Sequence, residues 1–346
     1  MVDTITFKLK MDSELPLEVE MLCPDKLAGK NIDDIKKLKA FEGKITHDFV
    51  KVFDISGTVA AEPKAMKIVV QNSTKKLRRM GENMTGGEIE IVGDAGMHVG
   101  DMMKGGKIVV HGNADHYAAS QMEGGELWIE GNAGDYLGCA YRGEWRGMKG
   151  GKIFVDGNAG FEIGAWMRGI KASQEKGEPL IHVKGNVALH AGHHNHGGFM
   201  IIEGNAEGNA GSEMGRGDIA VLGKTEALAS FSKDDGEVPE IPVLKIKGPF
   251  ITYTGDNGIG GKGKLYLKSP NAKAVVVDRQ ALRSIVPPPA SEAKPAATAQ
   301  KPAKTAPAPV ETKPAAVKPS PEPVKQKLVA EAPKKDEKEK PKKGKK

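Results

Sequence analysis

Cysteine is almost missing from this 346-residue chain, and the two that occur, Cys23 and Cys139, stand far apart in neither a metal-binding nor a redox spacing. That excludes a disulfide framework and leads us to expect free thiols in a reducing, cytoplasmic compartment. Long apolar runs are missing too. None approaches the roughly 18 residues that span a bilayer, and the opening MVDTITFKLK lacks the apolar core of a secretory signal, so a soluble, unexported chain is expected. Basic charge is abundant only at one end. The whole chain carries 51 − 45 = +6, whereas Pro287 to Lys346 alone holds 15 lysines against 7 acidic residues, or +8. The body is therefore at 6 − 8 = −2, which does not suit a nucleic-acid groove. The same sixty residues hold 13 of the 21 prolines and no aromatic residue, so they cannot bury enough apolar surface to offset chain entropy. A disordered tail is expected over 287–346.

What the chain has in excess is glycine, 44 residues in all, and in the middle of the sequence the glycines recur in a unit Gly-Gly-x-Φ-x-Φ-x-Gly-Asn-Ala, where Φ is aliphatic. The marker glycines Gly93, Gly112, Gly131, Gly157, Gly185, Gly204 and Gly223 are spaced by 19, 19, 26, 28, 19 and 19 residues. A unit this small cannot bury its own apolar face and has to stack on its neighbours. Within each unit the pairs Ile89/Ile91, Ile108/Val110, Leu127/Ile129, Ile153/Val155, Ile181/Val183, Met200/Ile202 and Ile219/Val221 alternate with outward positions, which is strand periodicity. A second inward stripe follows each marker at Ala95, Ala114, Ala133, Ala159, Val187 and Ala206, and a third at Val99, Ala118, Leu137, Ile163, Ala191 and Ala210. The pattern predicts an all-β chain built as a right-handed parallel β-helix, a single solenoid, with glycine and asparagine supplying positive φ at its corners. Two longer units place loops near Tyr141–Gly147 and Gly169–Glu178. At one strand spacing per coil, seven coils make a rod on the order of 30 Å long.

Residues 1–80 are expected to form a short α/β cap. Asn31 begins a capped helix with acids in its first turn, and Lys67 to Gln71 make an irregular first coil. The coils occupy 81–225, two closing strands fall within 226–286, and the tail follows.

These coils, with their Gly-x-x-Gly corners, resemble the β-domain shared by the large subunit of glutamate synthase and by the C subunit of formylmethanofuran dehydrogenase. The stretch from Leu15 to Lys30 (LPLEVEMLCPDKLAGK), followed by the Asn31 helix, favours the second family, as does the lack of a glutaminase or flavin-barrel region. The resemblance covers roughly residues 15–225, and the Lys/Pro/Ala tail is no part of it. It implies a structural, assembly subunit of a complex that reduces carbon dioxide and attaches it as a formyl group to methanofuran, the first step of methanogenesis. It also implies partner subunits that carry the chemistry: a tungsten or molybdenum pterin subunit, an amidohydrolase-like subunit with a binuclear metal site, and iron-sulfur subunits. The chain itself is expected to hold no cofactor and no catalytic residue. The alternative is a stand-alone β-helix enzyme acting on an acidic polymer, or a glutamate-synthase-like domain.

Candidate sites are few. His190, His193, His194 and His196 form the most metal-like run, but no cysteine or carboxylate stands beside them at ligand spacing. Asn195 takes the place that Met84, Met103, Met122, Met148 and Met214 hold elsewhere, so an ordinary corner with polar variation is the plainer reading. Five residues after each marker come His98, Tyr117, Tyr136, Glu162, His190 and Asn209, a column that either borders a partner or is a solvated face. Gly258 to Gly263 has dinucleotide-like spacing but precedes a strand, so the phosphates would lack a helix terminus. The loop insertions carry Arg142, Glu144, Trp145, Arg146, Arg168, Lys171 and Glu175, a mixed set without an acid pair, suited to docking. Between the two aliphatic residues of each first strand the outward file reads Glu90, Val109, Trp128, Phe154, His182, Ile201 and Ala220. Its large apolar members need a cover, either the chain's own terminal segments or a partner subunit. The partner is the reading adopted, with interface residues Val109, Trp128, Phe154, Ile201, Trp145 and Arg146.

Overall fold

A computed structural model of the chain describes residues 3–169 and 178–284. The tail expected over 287–346 and the loop residues Lys171 and Glu175 lie outside the described residues.

The N-terminal region runs β1 (Asp3–Leu9), β2 (Leu17–Glu18), α1 (Pro24–Leu27), α2 (Ile32–Lys36), β3 (Lys39–Glu42), β4 (Ile45–Asp48), α3 (Phe49–Val52) and β5 (Phe53–Gly57). As expected from the sequence, Asn31 caps α2, its side-chain oxygen accepting from the Asp34 amide at 2.8 Å. The repeating segment contributes β6 (Met66–Ser73), β7 (Leu77–Arg78), β8 (Glu88–Gly93), β9 (Lys104–Val110), β10 (Gly124–Ile129), β11 (Lys152–Val155), β12 (Leu180–Val183), β13 (His196–Ile202) and β14 (Arg216–Val221). The chain then forms β15 (Ser232–Ile241), β16 (Ile246–Gly255), β17 (Gly263–Lys268), β18 (Val276–Val277) and α4 (Arg279–Ser284).

The chain is mostly β. Its main sheet is mixed, in the order β15-β16-β17-β14-β13-β12-β11-β10-β9-β8-β6-β1-β5, and a small second sheet runs β4-β3-β2-β7. From β1 to β17 every neighbouring pair in the main sheet is parallel. The register joins like to like: Ile89 pairs with Ile108, Leu127 with Ile153, Ile181 with Met200, and Ile219 with Leu265. Each of these side chains is fully buried, so the period-two apolar positions face one continuous core. The second stripe forms a parallel bridge column, Ala95 to Ala114 to Ala133 to Ala159 to Val187 to Ala206. β6 is a regular rung in register with β8, and β17 adds one more rung beyond the last marker glycine.

The corners depart from expectation in an informative way. After Gly93 (φ 121°) the marker glycines do not stand at positive φ, and neither do the asparagines that follow them. Gly157 is glycine for lack of room: a Cβ there would lie 2.6 Å from the Gly131 carbonyl oxygen of the rung below. The asparagines are rungs of a ladder. The amides of Asn132, Asn158, Asn186 and Asn205 donate to the side-chain oxygen of the preceding asparagine at 2.8 to 2.9 Å. Positive φ falls on the second residue of the Gly-Gly pairs, as at Gly125 (φ 87°), and on residues that bear large side chains.

The last elements decide the fate of the outward file. β15, β16, β18 and α4 pack a second apolar cluster over it, in which Phe154, Ile201 and Ala220 join Ile241, Leu244, Ile246, Phe250 and Leu282. Phe154 is 4 % exposed and Ile201 fully buried, so these two cannot serve as partner anchors. The chain's own C-terminal segment covers this end of the file. Val109 and Trp128, toward the other end, remain half-buried.

Candidate functional site

The column five residues after each marker glycine is conformationally unusual. His98, Tyr117, Tyr136, Glu162, His190 and Asn209 all have φ between 52° and 66°, the left-handed region that side chains with a Cβ rarely enter. Each rung turns at this point, and the carbonyl one rung along accepts the turning amide, as Asp135 does for Tyr117 at 2.9 Å. The side chains line up in consequence. His98 stacks on Tyr117 at 5.4 Å and Tyr117 on Tyr136 at 4.7 Å, and the aromatic run then passes through Phe161 beside Glu162 to His190. Such stacks are worth about 0.5–1.5 kcal/mol each, enough to offset much of the backbone cost.

The insertion after Ala140 folds back on this column. Tyr141 donates to the buried carboxylate of Asp101 and accepts from Nδ1 of His98 at 2.9 Å. Burial, aided by the Arg79 and Arg78 guanidiniums, holds His98 down at about 4, while burial pushes Asp101 up to about 6. Oδ1 of Asp101 has no hydrogen-bond partner among the described residues. Arg142 donates to the Tyr136 hydroxyl at 2.8 Å. Trp145, 46 % exposed at the loop tip, lies between the guanidiniums of Arg146 at 4.2 Å and Arg168 at 4.3 Å. With Tyr136, Glu162 and Trp166 it borders a cleft of about 220 Å³. The loop set is thus an exposed aromatic ring flanked by cations, the composition of a protein-binding surface.

The histidine run is divided by the fold. His190 is engaged at both ring nitrogens, by Ser212 Oγ at 3.3 Å and the Asn209 side chain at 3.5 Å. His196 lies apart, 6.1 Å from the Trp166 ring. His193 and His194 converge instead with Glu213, one ligand atom from each lying within 4.8 Å of the others. The carboxylate that the linear spacing lacked is supplied by the next repeat, since Glu213 follows His194 by the 19-residue period. That period was the signal that would have found it. His194 stacks on Trp166 at 3.9 Å, and burial together with neighbouring His193 holds it below the ordinary imidazole range.

The glycine run Gly258 to Gly263 leads into β17 and not into a helix, so it makes no phosphate cradle. Cys23 and Cys139 are single and buried, and burial pushes both thiols up to about 12. No described helix is long and apolar enough to cross a membrane.

Comparison with known proteins places these features. No family model matches the chain. It is 47 % identical over 286 residues to the C subunit of tungsten-containing formylmethanofuran dehydrogenase 2 from Methanococcus maripaludis, an alignment covering 80 % of this chain and all of that one. It is 38 % identical over 86 residues to the C subunit of molybdenum-containing formylmethanofuran dehydrogenase 1 from Methanosarcina barkeri, covering 25 % of this chain and 29 % of that one. In fold it is similar to a chain of the formyltransferase/hydrolase complex (FhcABCD) of Methylorubrum extorquens, solved with methylofuran. The TM-score is 0.66 at 24 % identity, over 76 % of this chain and 99 % of that chain. With a relative matched from end to end at nearly one residue in two, this chain belongs to the family of formylmethanofuran dehydrogenase C subunits.

Proposed function

We propose that the chain is a structural, assembly subunit of a formylmethanofuran dehydrogenase complex, which reduces carbon dioxide to the formyl group of formylmethanofuran. The end-to-end identity to the C subunit of a tungsten-containing enzyme carries this reading. In it, the stacked parallel rungs wind as a right-handed β-helix, the hand in which parallel strand crossovers usually turn. The tungsten or molybdenum pterin, the iron-sulfur clusters and the binuclear metal centre belong to partner subunits. The names of the relatives support a tungsten or molybdenum enzyme, and with only two cysteines, far apart in sequence, this chain offers no set of four thiolates for a cluster. The same unpaired thiols suit a cytoplasmic location.

The contact surface in this reading runs from Val109 and Trp128, which stay half-buried toward the far end of the file, to Trp145 and Arg146 on the loop. Trp128 packs on Phe154 at 4.5 Å with Lys107 over its ring at 5.1 Å, so it forms a firm edge for a partner to abut. Trp145, exposed between two guanidiniums, has the composition of an interface hot spot. Tagged chain carrying Trp145→Ala and Arg146→Ala should fold normally by circular dichroism yet recover partner subunits at least tenfold less well from a co-expressing host. Unchanged recovery would remove the loop from the interface. A native mass equal to that of the chain alone would overturn the assembly role itself.

A further inference from the structure

We propose that His193, His194 and Glu213 form a binding site for a first-row divalent transition-metal cation of the zinc and cobalt class. The three residues come from two adjacent coils, and one ligand atom of each lies within 4.8 Å of the others. Two donors already stand at ligand spacing: Nε2 of His194 and Oε2 of Glu213 are 3.2 Å apart. Tetrahedral ligands at metal–nitrogen and metal–oxygen distances of about 2.1 Å are separated by about 3.4 Å, so this edge needs almost no adjustment. The third donor lies within 4.8 Å of both and would move closer on binding.

The surroundings are those of a prepared site. Nδ1 of His193 faces the Ser212 carbonyl at 3.2 Å and its hydroxyl at 2.8 Å. With its proton on Nδ1, donated to these oxygens, the ring keeps its Nε2 lone pair for a metal. A backbone carbonyl on the far nitrogen is the usual means by which a metal-bound imidazole is oriented. Trp166 holds the ring of His194 by stacking at 3.9 Å, and the His193 and His194 rings lie 4.1 Å apart. Glu213 sits on a backbone turned to φ 54°, and Asp256 accepts from its amide at 3.1 Å, which fixes the carboxylate's base. Two imidazoles and one carboxylate are intermediate donors that favour zinc, cobalt or iron over magnesium or calcium. With three protein ligands, a fourth position is left to water or to a group from a neighbouring molecule.

The test is titration of the full chain with Co2+, read by its visible absorption, and then with Zn2+ as competitor. One equivalent of Co2+ should bind with a tetrahedral or five-coordinate spectrum that Zn2+ abolishes. His193→Ala and His194→Ala should each weaken binding at least tenfold. Glu213→Gln, at a half-exposed position where folding is not at stake, should do the same. His111→Ala, outside this cluster, should stay within twofold of the parent. A titration with no stoichiometric binding, or equal binding by the parent and by Glu213→Gln, would overturn the assignment.

Discussion

At the scale of single residues, the left-handed column shows how side chains offset a costly backbone. Glu162 stands at φ 52° without the ring stacking that Tyr136 enjoys with Tyr117 at 4.7 Å. A left-handed residue with a Cβ costs about 1–2 kcal/mol, and glycine relieves it. Glu162→Gly should therefore raise stability by about 1 kcal/mol in chemical denaturation, while Tyr136→Gly, which loses two ring contacts, should lower it. Asp101 allows a sign to be worked out. Its carboxyl is held at about 6 in the fold against 3.8 for the unfolded chain, so the folded state binds more protons in that interval. Ionising it costs stability, progressively between those values and in full above about 6. Asp101→Asn removes the titration, and the stability of the variant relative to the parent should improve by on the order of 1–2 kcal/mol between about pH 4 and pH 7. A difference independent of pH would show that Asp101 is not the group responsible.

At the scale of the repeating element, two devices hold the rungs at one spacing. Marker glycines let backbones touch, and the asparagine ladder satisfies the amides at the same corner. Gly157→Ala places a methyl 2.5 Å from the Asn132 side-chain oxygen and 2.6 Å from the Gly131 oxygen, and the second contact, with backbone, only backbone movement can relieve. A loss of about 2 kcal/mol or more is expected, although the residue has an ordinary φ. Asn132→Ala removes the acceptor for the Asn158 amide at 2.8 Å. That position is exposed and water can substitute, so about 1 kcal/mol is expected from the same denaturation curves. A larger effect for the asparagine than for the glycine would reverse this ranking of packing over hydrogen bonding.

At the scale of the whole molecule, the C-terminal segment acts as the chain's own cover. Leu282 is fully buried against the cluster that contains Phe154 and Ile201. Arg279 donates to Glu203 at 2.9 Å, and His182 meets the same carboxylate at 2.8 Å. Burial opposes ionisation of Glu203, yet these two hydrogen bonds hold it down at about 2. Leu282→Ala should cost about 2–4 kcal/mol and raise binding of a hydrophobic dye, because the apolar file loses its lid. Truncation before Pro287 keeps Arg279 and Leu282, and its melting temperature should match that of the full chain within a degree or two. A large fall on that truncation would assign the Lys/Pro/Ala segment a part in the fold.

The stacked parallel strands were legible from the amino-acid sequence because a period of two within a period of nineteen leaves one way to bury the aliphatic residues. The Asn31 cap was legible for local reasons; β6 was legible as a strand of the stack, though not its regular register or the parallel β1 beyond it. The glycines were legible as corners but for the wrong cause: sequence cannot separate a residue that needs positive φ from one that needs a neighbour's backbone close by. Tertiary structure alone decided what covers Phe154 and Ile201, since nothing local ties Leu282 to strands 81 and 128 residues earlier. It alone brought Glu213 to His193 and His194, because ligands converge through the stacking of repeats and not through spacing along the chain. Glu213 shows the boundary: it is 19 residues from His194 in sequence, and only the stacking of one repeat on the next places its carboxylate 3.2 Å from that ring.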